Sequence, residues 1–370
     1  MAEKIKREKL ILAGIISSND GKSAAGYSLD ELRELVATAG GTAVGSHIIK
    51  KTVIDPSCII GSGRLESLKF EAEELGAAGI VFDVNNIRPV QYNNLEKLTG
   101  LKILSRCDVI LDIFALRASS AEAKIQVELA QLTNMLPRLR GQGVDLSRLG
   151  GGIGTRGPGE TKLETDRRHI QRRIHRLNSD LKKIEKTRSV KRKSRSSKPK
   201  IAVAGYTNAG KSSLVSLLSK KDLFAENRLF ATLDSFTREV YISPELTVLM
   251  TDTVGFIRNL PASLVKAFRS TFEEISFSDL IIHVVDSSNP NYAECVRTVD
   301  DELSEIGCSA EKIIFFNKTD AASADLIQDI KSGFPDALYG SVKDKSGIDL
   351  LKNRIGNFFK QEEDSGESHE

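Results

Sequence analysis

The sequence predicts an α/β chain in three parts: an α/β domain over residues 1–116, a long antiparallel helical hairpin over 117–190, and a second α/β domain over 201–360. Three observations predict it. Short apolar runs alternate with helical spacings at both ends of the chain, two Leu/Ile stripes repeat every three or four residues in the middle, and a glycine-rich loop pattern follows the apolar run at Ile201. The 370 residues are 40% hydrophobic and 6% aromatic with a net charge of +3, which describes a soluble globular chain with two or three cores and excludes a disordered one. Four cysteines, Cys58, Cys107, Cys295 and Cys308, form no C-x-x-C pair, so a zinc knuckle, a redox motif and a disulfide-built fold are set aside and the reducing cytoplasm is the expected compartment.

In the first domain, Leu10–Ser17, Thr42–Ile49, Gly79–Asp83, Lys102–Leu104 and Val109–Phe114 read as strands, and Ser28–Ala39, Leu65–Leu75 and Arg88–Leu98 have helical spacing. The basic start before Leu10 invites a secretory signal, but the apolar run of seven residues reads better as a buried first strand. No run approaches the roughly 20 residues that span a bilayer. Gly61-Ser62-Gly63 precedes a helix and reads as a plain turn in preference to a phosphate site.

The hairpin opens on Ser119-Ser-Ala-Glu122, a capping-box pattern, and Ile125, Leu129, Leu132, Leu136 and Leu139 form its first stripe. A glycine-rich tip, Gly141 to Gly159, separates it from a second box, Thr161-Lys-Leu-Glu164, and a second stripe of Leu163, Ile170, Ile174, Leu177, Leu181 and Ile184. Each helix is expected to run about 20 to 27 residues, with a basic linker over 191–200. Between Lys162 and Lys200 stand sixteen Lys or Arg against four acids, a net +12 that leaves −9 on the rest of the chain. Four acids cannot pair sixteen bases, so this segment suits phosphates of a folded RNA, with few aromatics for stacking on single strands. Residues 361–370, with five acids and no Lys or Arg, read as a disordered acidic tail.

The second domain carries the chemistry. Gly205-Tyr206-Thr207-Asn208-Ala209-Gly210-Lys211-Ser212 matches G-x-x-x-x-G-K-[ST] between a strand, Ile201–Ala204, and a helix near Ser213. In such a P-loop, main-chain N–H groups cradle the β-phosphate, Lys211 reaches the β/γ oxygens and the Ser212 hydroxyl coordinates Mg²⁺. The strand Leu246–Met250 leads to Asp252-Thr253-Val254-Gly255, where a carboxylate meets the Mg²⁺ shell and the glycine N–H approaches the γ-phosphate. Asn317-Lys318-Thr319-Asp320 supplies a carboxylate for the N1–H and N2–H₂ edge of guanine, a donor pair adenine lacks, and Ser341-Val342-Lys343 supplies a main-chain N–H for the guanine carbonyl. These elements predict a Ras-like G domain binding GTP and GDP. Thr232 and Thr237 are both candidates for the switch threonine that senses the γ-phosphate, and the residues alone do not choose. The position after Gly255 is Phe256, whose ring cannot orient a water, so the isolated protein is expected to hydrolyse GTP slowly and to need a partner.

The glycine-rich segment Gly151–Gly159 with Glu160–Arg168, the preceding Leu111–Arg117, Gln126–Leu132 and Leu136–Leu139, and the switch sequence Phe230-Ala231-Thr232-Leu233-Asp234 resemble the HflX family of GTPases over nearly all of residues 9 to 360. The resemblance implies a factor that binds the large ribosomal subunit and its rRNA and splits idle or stalled ribosomes. It also implies that Thr232 joins Ser212 on Mg²⁺, and that Phe256 is the family's hydrophobic replacement for glutamine. Lys211, Thr232 and Gly255 are then the catalytic set, and residues 230–234 complete the nucleotide site. Departures are Ser235-Phe236 for Pro-Thr, Arg106-Cys107-Asp108 for Asp-Arg-Thr, and Ser341-Val342 for Ser-Ala. The chain is expected as a monomer. The alternative reading is a GTP-gated switch without ribosomes, its basic segment associating weakly with an anionic membrane; an RNA-modifying enzyme would need a second catalytic constellation, and none is present in the pattern.

Overall fold

The computed structural model describes residues 7–16, 22–50, 55–139, 158–193, 198–220, 229–230, 232–233, 236–258, 260–261, 264 and 268–367. The chain divides into two compact units, residues 1–183 with 260–267 and residues 184–259 with 268–370. No helix among the described residues is long and apolar enough to cross a membrane.

The first unit holds β1 (Lys9–Ile16), α1 (Lys22–Thr38), β2 (Thr42–Lys50), α2 (Ser62–Leu75), β3 (Gly79–Asp83), α3 (Pro89–Thr99), β4 (Lys102–Ser105), α4 (Arg106–Arg117) and α5 (Ala121–Met135). Its four strands pair in parallel in the order β2-β1-β3-β4, as expected when helices carry the chain back between strands. Ile11, Ala13, Ile80 and Phe82 of the central strands bury against Leu65, Leu68 and Leu95 of α2 and α3.

Two expectations for this unit are corrected. Val109–Phe114 is not a strand but the middle of α4, which starts where the Ser105 hydroxyl accepts from the Asp108 N–H (3.2 Å) and the Asp108 carboxylate accepts from the Ser105 N–H (2.8 Å). The helix buries Val109, Ile110, Leu111, Ile113 and Phe114 and leaves only Asp112 of the run exposed, and a short run this rich in apolar residues does not separate helix from strand by period. α5 is capped by Ser120, one residue later than expected, with its hydroxyl accepting from the Ala123 N–H at 3.0 Å. Its fully buried face is Ala123, Gln126, Val127 and Ala130, and the predicted stripe of Ile125, Leu129 and Leu132 is half-buried beside it.

The second hairpin arm, α6 (Pro158–Lys193), is one helix of 36 residues, about 54 Å at 1.5 Å per residue. It is longer than expected at both ends. It begins at Pro158, whose fixed φ suits a first helical turn, so the Thr161–Glu164 box lies inside the helix; at the other end Lys191-Arg-Lys193 offers no breaker and takes up part of the expected linker. From Ile170 onward the stripe reads correctly: Leu177 is buried and Ile170, Ile174, Leu181 and Ile184 are half-buried, while the Leu163 side chain lies outside the described residues. Arg173 joins α6 to α5 by donating two hydrogen bonds to the Glu128 carboxylate, at 2.6 and 2.7 Å. Most of the glycine-rich tip falls on 140–157, outside the described residues.

The second unit holds β5 (Lys200–Gly205), α7 (Lys211–Ser219), β6 (Phe236–Ser243), β7 (Leu246–Asp252), α8 (Arg269–Ser276), β8 (Leu280–Asp286), α9 (Tyr292–Glu305), β9 (Glu311–Asn317), α10 (Ala324–Gly333), β10 (Leu338–Tyr339) and α11 (Ile348–Glu367). Its sheet runs β10-β9-β8-β5-β7-β6, parallel except for the edge strand β6. Val203, Met250, Ile282 and Phe315 bury one face against Leu214 and Leu218 of α7 and Leu351 and Ile355 of α11. β5, β7 and β9 all end on the same edge, so three loops spread over more than a hundred residues of chain converge there. The expected disordered tail is helical through Glu367: Gln361-Glu-Glu-Asp364 continue a helix that begins at Ile348, and no proline stands between Ile348 and Glu367 to end it.

Candidate nucleotide-binding site

The P-loop leaves β5 at Gly205 and enters α7 at Lys211, with Gly210 as N-cap at φ 97°. That conformation favours glycine, and a Cβ there would collide with the Asn317 amide nitrogen. The Asn317 amide donates to the Ala209 carbonyl at 2.9 Å, while its oxygen accepts from the Val342 N–H at 3.0 Å. One side chain thus knits the P-loop to the two base-side loops. The first N–H groups of α7 have no helical partners, which makes its start an anion cradle. Lys211 is buried, donating to the Gly205 and Tyr206 carbonyls at 3.1 and 2.7 Å. Burial pushes its ammonium down to about 8, Asp252 pulling the other way.

Asp252 ends β7 fully buried, and neither carboxylate oxygen meets a donor in hydrogen-bonding geometry. Burial raises its pKa above the usual carboxylate range, with Ser212, Lys211 and Thr232 opposing the shift. The Ser212 and Thr232 hydroxyls share a hydrogen bond of 2.6 Å. Thr237 stands elsewhere, sharing a bond of 2.9 Å with Thr251 on the β6–β7 pair. Of the two candidate threonines, Thr232 is therefore the one brought to the P-loop. A buried carboxylate with unused oxygens beside two hydroxyls is the donor set a hard divalent cation such as Mg²⁺ takes. Phe230 and Leu233 flank Thr232 as buried side chains; Ala231 and Asp234 lie outside the described residues.

Thr253 ties β7 to β5 by donating to the Val203 carbonyl at 2.8 Å, and Val254 is buried. A Cβ at Gly255 would stand 2.9 Å from the Thr207 Cα and 3.0 Å from the Lys211 Nζ, so the chain passes the P-loop at backbone contact. Phe256 points into the core, stacked on Phe272 at 5.5 Å, while its carbonyl accepts from the Thr207 N–H (2.8 Å) and its N–H donates to the Gly205 carbonyl (3.1 Å). The Tyr206 hydroxyl accepts from the Arg258 N–H at 2.9 Å.

On the base side, Lys318 donates to the Asn208 carbonyl at 2.8 Å, and the Thr319 N–H donates to Gly340 at 3.2 Å. Asp320 accepts from the Ser341 hydroxyl at 2.6 Å with the Lys343 ammonium 3.4 Å away, and these hold its carboxyl below the usual range, Ser341 foremost. The departure at Val342 leaves this turn intact because its contribution is a main-chain N–H. Sequence reasoning missed Asp286, which accepts from Lys318 at 2.7 Å; the one available signal was an acid closing the apolar run Leu280–Val285.

In the hairpin, His169, Arg172, Arg173 and Arg176 of α6 with Glu128 and Leu132 of α5 line an open groove of about 450 Å³.

Family models match the chain in order: the N-terminal region of GTP-binding GTPases over residues 26–115, their middle region over 117–195, and a 50S ribosome-binding GTPase over 200–318. The GTPase HflX of Caldanaerobacter subterraneus subsp. tengcongensis is 45% identical over 94% of this chain and 80% of its own. That of Lacrimispora saccharolytica is 47% identical over 94% and 82%, and that of Escherichia coli 38% identical over 79% and 69%. A crystal structure of SsGBP in complex with GDP covers 96% of this chain and 99% of its own at 24% identity and a TM-score of 0.51, a likeness of fold. With relatives at these identities spanning most of both chains, and family models laid over it from residue 26 to 318, this chain belongs to the HflX family of GTPases.

Proposed function

We propose that this GTPase is a ribosome-associated switch: it binds GTP in the second unit, docks on rRNA of the large ribosomal subunit with its basic hairpin, and uses hydrolysis to end that association, acting on idle or stalled ribosomes. The observation that carries the nucleotide half is the single Asn317 side chain joining three loops whose residue types suit phosphate and guanine. In this reading the α7 N–H groups and Lys211 hold the phosphates, Gly255 offers its N–H to the γ-phosphate, and Asp320 takes the two guanine donors. Ser212 and Thr232, with Asp252 behind them, would hold Mg²⁺, which neutralises charge between the β- and γ-phosphates. Lys211, already buried and fixed, needs little reorganisation to meet developing charge on the transferred phosphoryl group.

Phe256 accounts for a slow reaction. Its ring is buried against Phe272 and offers no hydrogen bond to a water, so nothing identified at this position aligns the nucleophile. A partner that orders the switch segments supplies that alignment. The docking half is supported by the +12 segment, by the arginine-lined groove on α6, and by the description "50S ribosome-binding GTPase" of the family matched over 200–318. GTP turnover with and without purified large subunits tests both halves: stimulation that fades with rising salt is expected. No stimulation, with nucleotide-dependent binding to anionic vesicles instead, would replace the ribosome with a membrane as the partner.

A further inference from the structure

The nucleotide reading leaves one charged side chain at the site without a role. Asp286 ends β8 in register with Asn317 at the end of β9, outside every sequence pattern of the site. Its Oδ1 accepts from the Ser288 N–H at 2.9 Å and the Ser288 hydroxyl at 2.6 Å. Its Oδ2 accepts from the Lys318 ammonium at 2.7 Å, and the same ammonium donates to the Asn208 carbonyl at 2.8 Å.

Both residues joined by that ammonium are strained. Lys318 has φ 62° and Asn208 φ 63°, the left-handed region that side chains disfavour and that persists where neighbours enforce it. The Lys318 tip therefore clasps the base loop to the P-loop, and Asp286 is the anion that fixes the tip. Lysine is a flexible four-carbon stem, and it makes a defined wall for a ligand only when its ammonium is held. Ser288 orients Asp286 in turn, so the clasp is anchored in the turn after β8.

We infer that Asp286 is a positioning residue for guanine nucleotide: it pins Lys318 against the P-loop so that the lysine stem forms a preorganised surface beside the base and ribose. The inference rests on the nucleotide reading above. Acting on the base side, it affects GDP and GTP alike and governs affinity, not turnover.

The test is binding of fluorescent GDP and a non-hydrolysable GTP analogue to the full chain, with kcat measured at saturating GTP, for Asp286→Ala, Asp286→Asn, Ser288→Ala, Lys318→Ala and the Asp286→Ala/Lys318→Ala pair. Asp286→Ala should weaken both nucleotides by about tenfold and by the same factor, about 1.4 kcal/mol each, with kcat within about twofold. Asp286→Asn keeps an oxygen acceptor and should recover part of the loss, and Ser288→Ala, which leaves the main-chain N–H on Oδ1, should lose less than Asp286→Ala. In the Lys318→Ala background, removing Asp286 should cost almost nothing further. Wild-type affinity in Asp286→Ala, an undiminished loss in the Lys318→Ala background, or an equal loss in Ser288→Ala would overturn the inference. Thermal melting without nucleotide reports folding; if Asp286→Ala is unfolded, Asp286→Asn decides, and wild-type affinity there overturns it. Wild-type protein that binds no GDP overturns the nucleotide reading itself, a result distinct from all of these.

Discussion

Both units place buried charge at the carboxyl ends of parallel strands, and they treat it in opposite ways. In the first, Arg106 is 1% exposed and bridges Glu31 and Asp83, the latter also accepting from Ser28. Beside it Asp108 accepts from Tyr92, Ser105, Asn134 and Arg138. Each of these charged groups meets an opposite charge within the unit, Arg106 through its two terminal nitrogens while its Nε makes no hydrogen bond. In the second unit, Asp252 is buried with no donor in hydrogen-bonding geometry, and the Lys211 ammonium rests on carbonyls, with its pKa driven down by burial. The same architecture thus uses charge to fix a fold in one place and to receive a ligand in the other. A buried carboxylate whose oxygens meet no donor in hydrogen-bonding geometry, beside a lysine with a lowered pKa, points to the second as the functional one.

Removing one charge from each unit is the sharpest way to break this comparison. Lys211→Met should lower kcat for GTP by on the order of 10³-fold, as loss of a preorganised transition-state donor does, while the protein without nucleotide melts no lower than wild type. Arg106→Met should do the reverse. It strands Glu31 and Asp83 in the core and should cost about 3–5 kcal/mol of stability by denaturant unfolding, with GTP turnover of the folded fraction unchanged. If both variants lose stability and neither loses turnover first, the distinction between the units fails.

A pH titration sharpens it further. Burial holds Lys211 at about 8 when folded, against 10.5 unfolded. Between those values the unfolded chain carries a proton that the folded chain lacks, so this lysine makes the protein without nucleotide gain stability as pH rises from about 8 to about 10.5. The gain should vanish in Lys211→Met; equal pH slopes of the denaturant midpoint in the two proteins would contradict it. The smallest effect belongs to the hairpin. Arg173→Ala breaks an exposed pair with Glu128 and should leave the melting temperature unchanged, while weakening salt-sensitive binding to large subunits a few-fold and lowering the salt slope by about one.

The two regions were also unequally legible. The G-domain loops could be read because phosphate and guanine demand particular residue types at fixed spacing, and the structure gathers those described on one sheet edge. The choice between Thr232 and Thr237 was closed to pattern reading because it depends on which hydroxyl reaches Ser212, a contact between residues 20 apart in sequence. Asp286 was missed since a single acid after an apolar strand has no spacing to recognise it by. The Arg106 network was invisible for a similar reason: Glu31, Asp83 and Arg106 are far apart in sequence, and only the parallel sheet brings them together. Helix α4 was misread where five apolar residues in six masked the period, whereas the half-buried stripe of α6 kept it.

The contact between Gly210 and Asn317 has a consequence for how such a chain can vary. The two positions are more than a hundred residues apart, yet any side chain at 210 occupies the place of the amide at 317. Neither is free to drift alone: enlarging the first requires trimming the second, and trimming the second unties the base loops from the P-loop. Selection can therefore reach an alternative pair only through an intermediate that holds nucleotide poorly, which makes the two positions a single heritable unit.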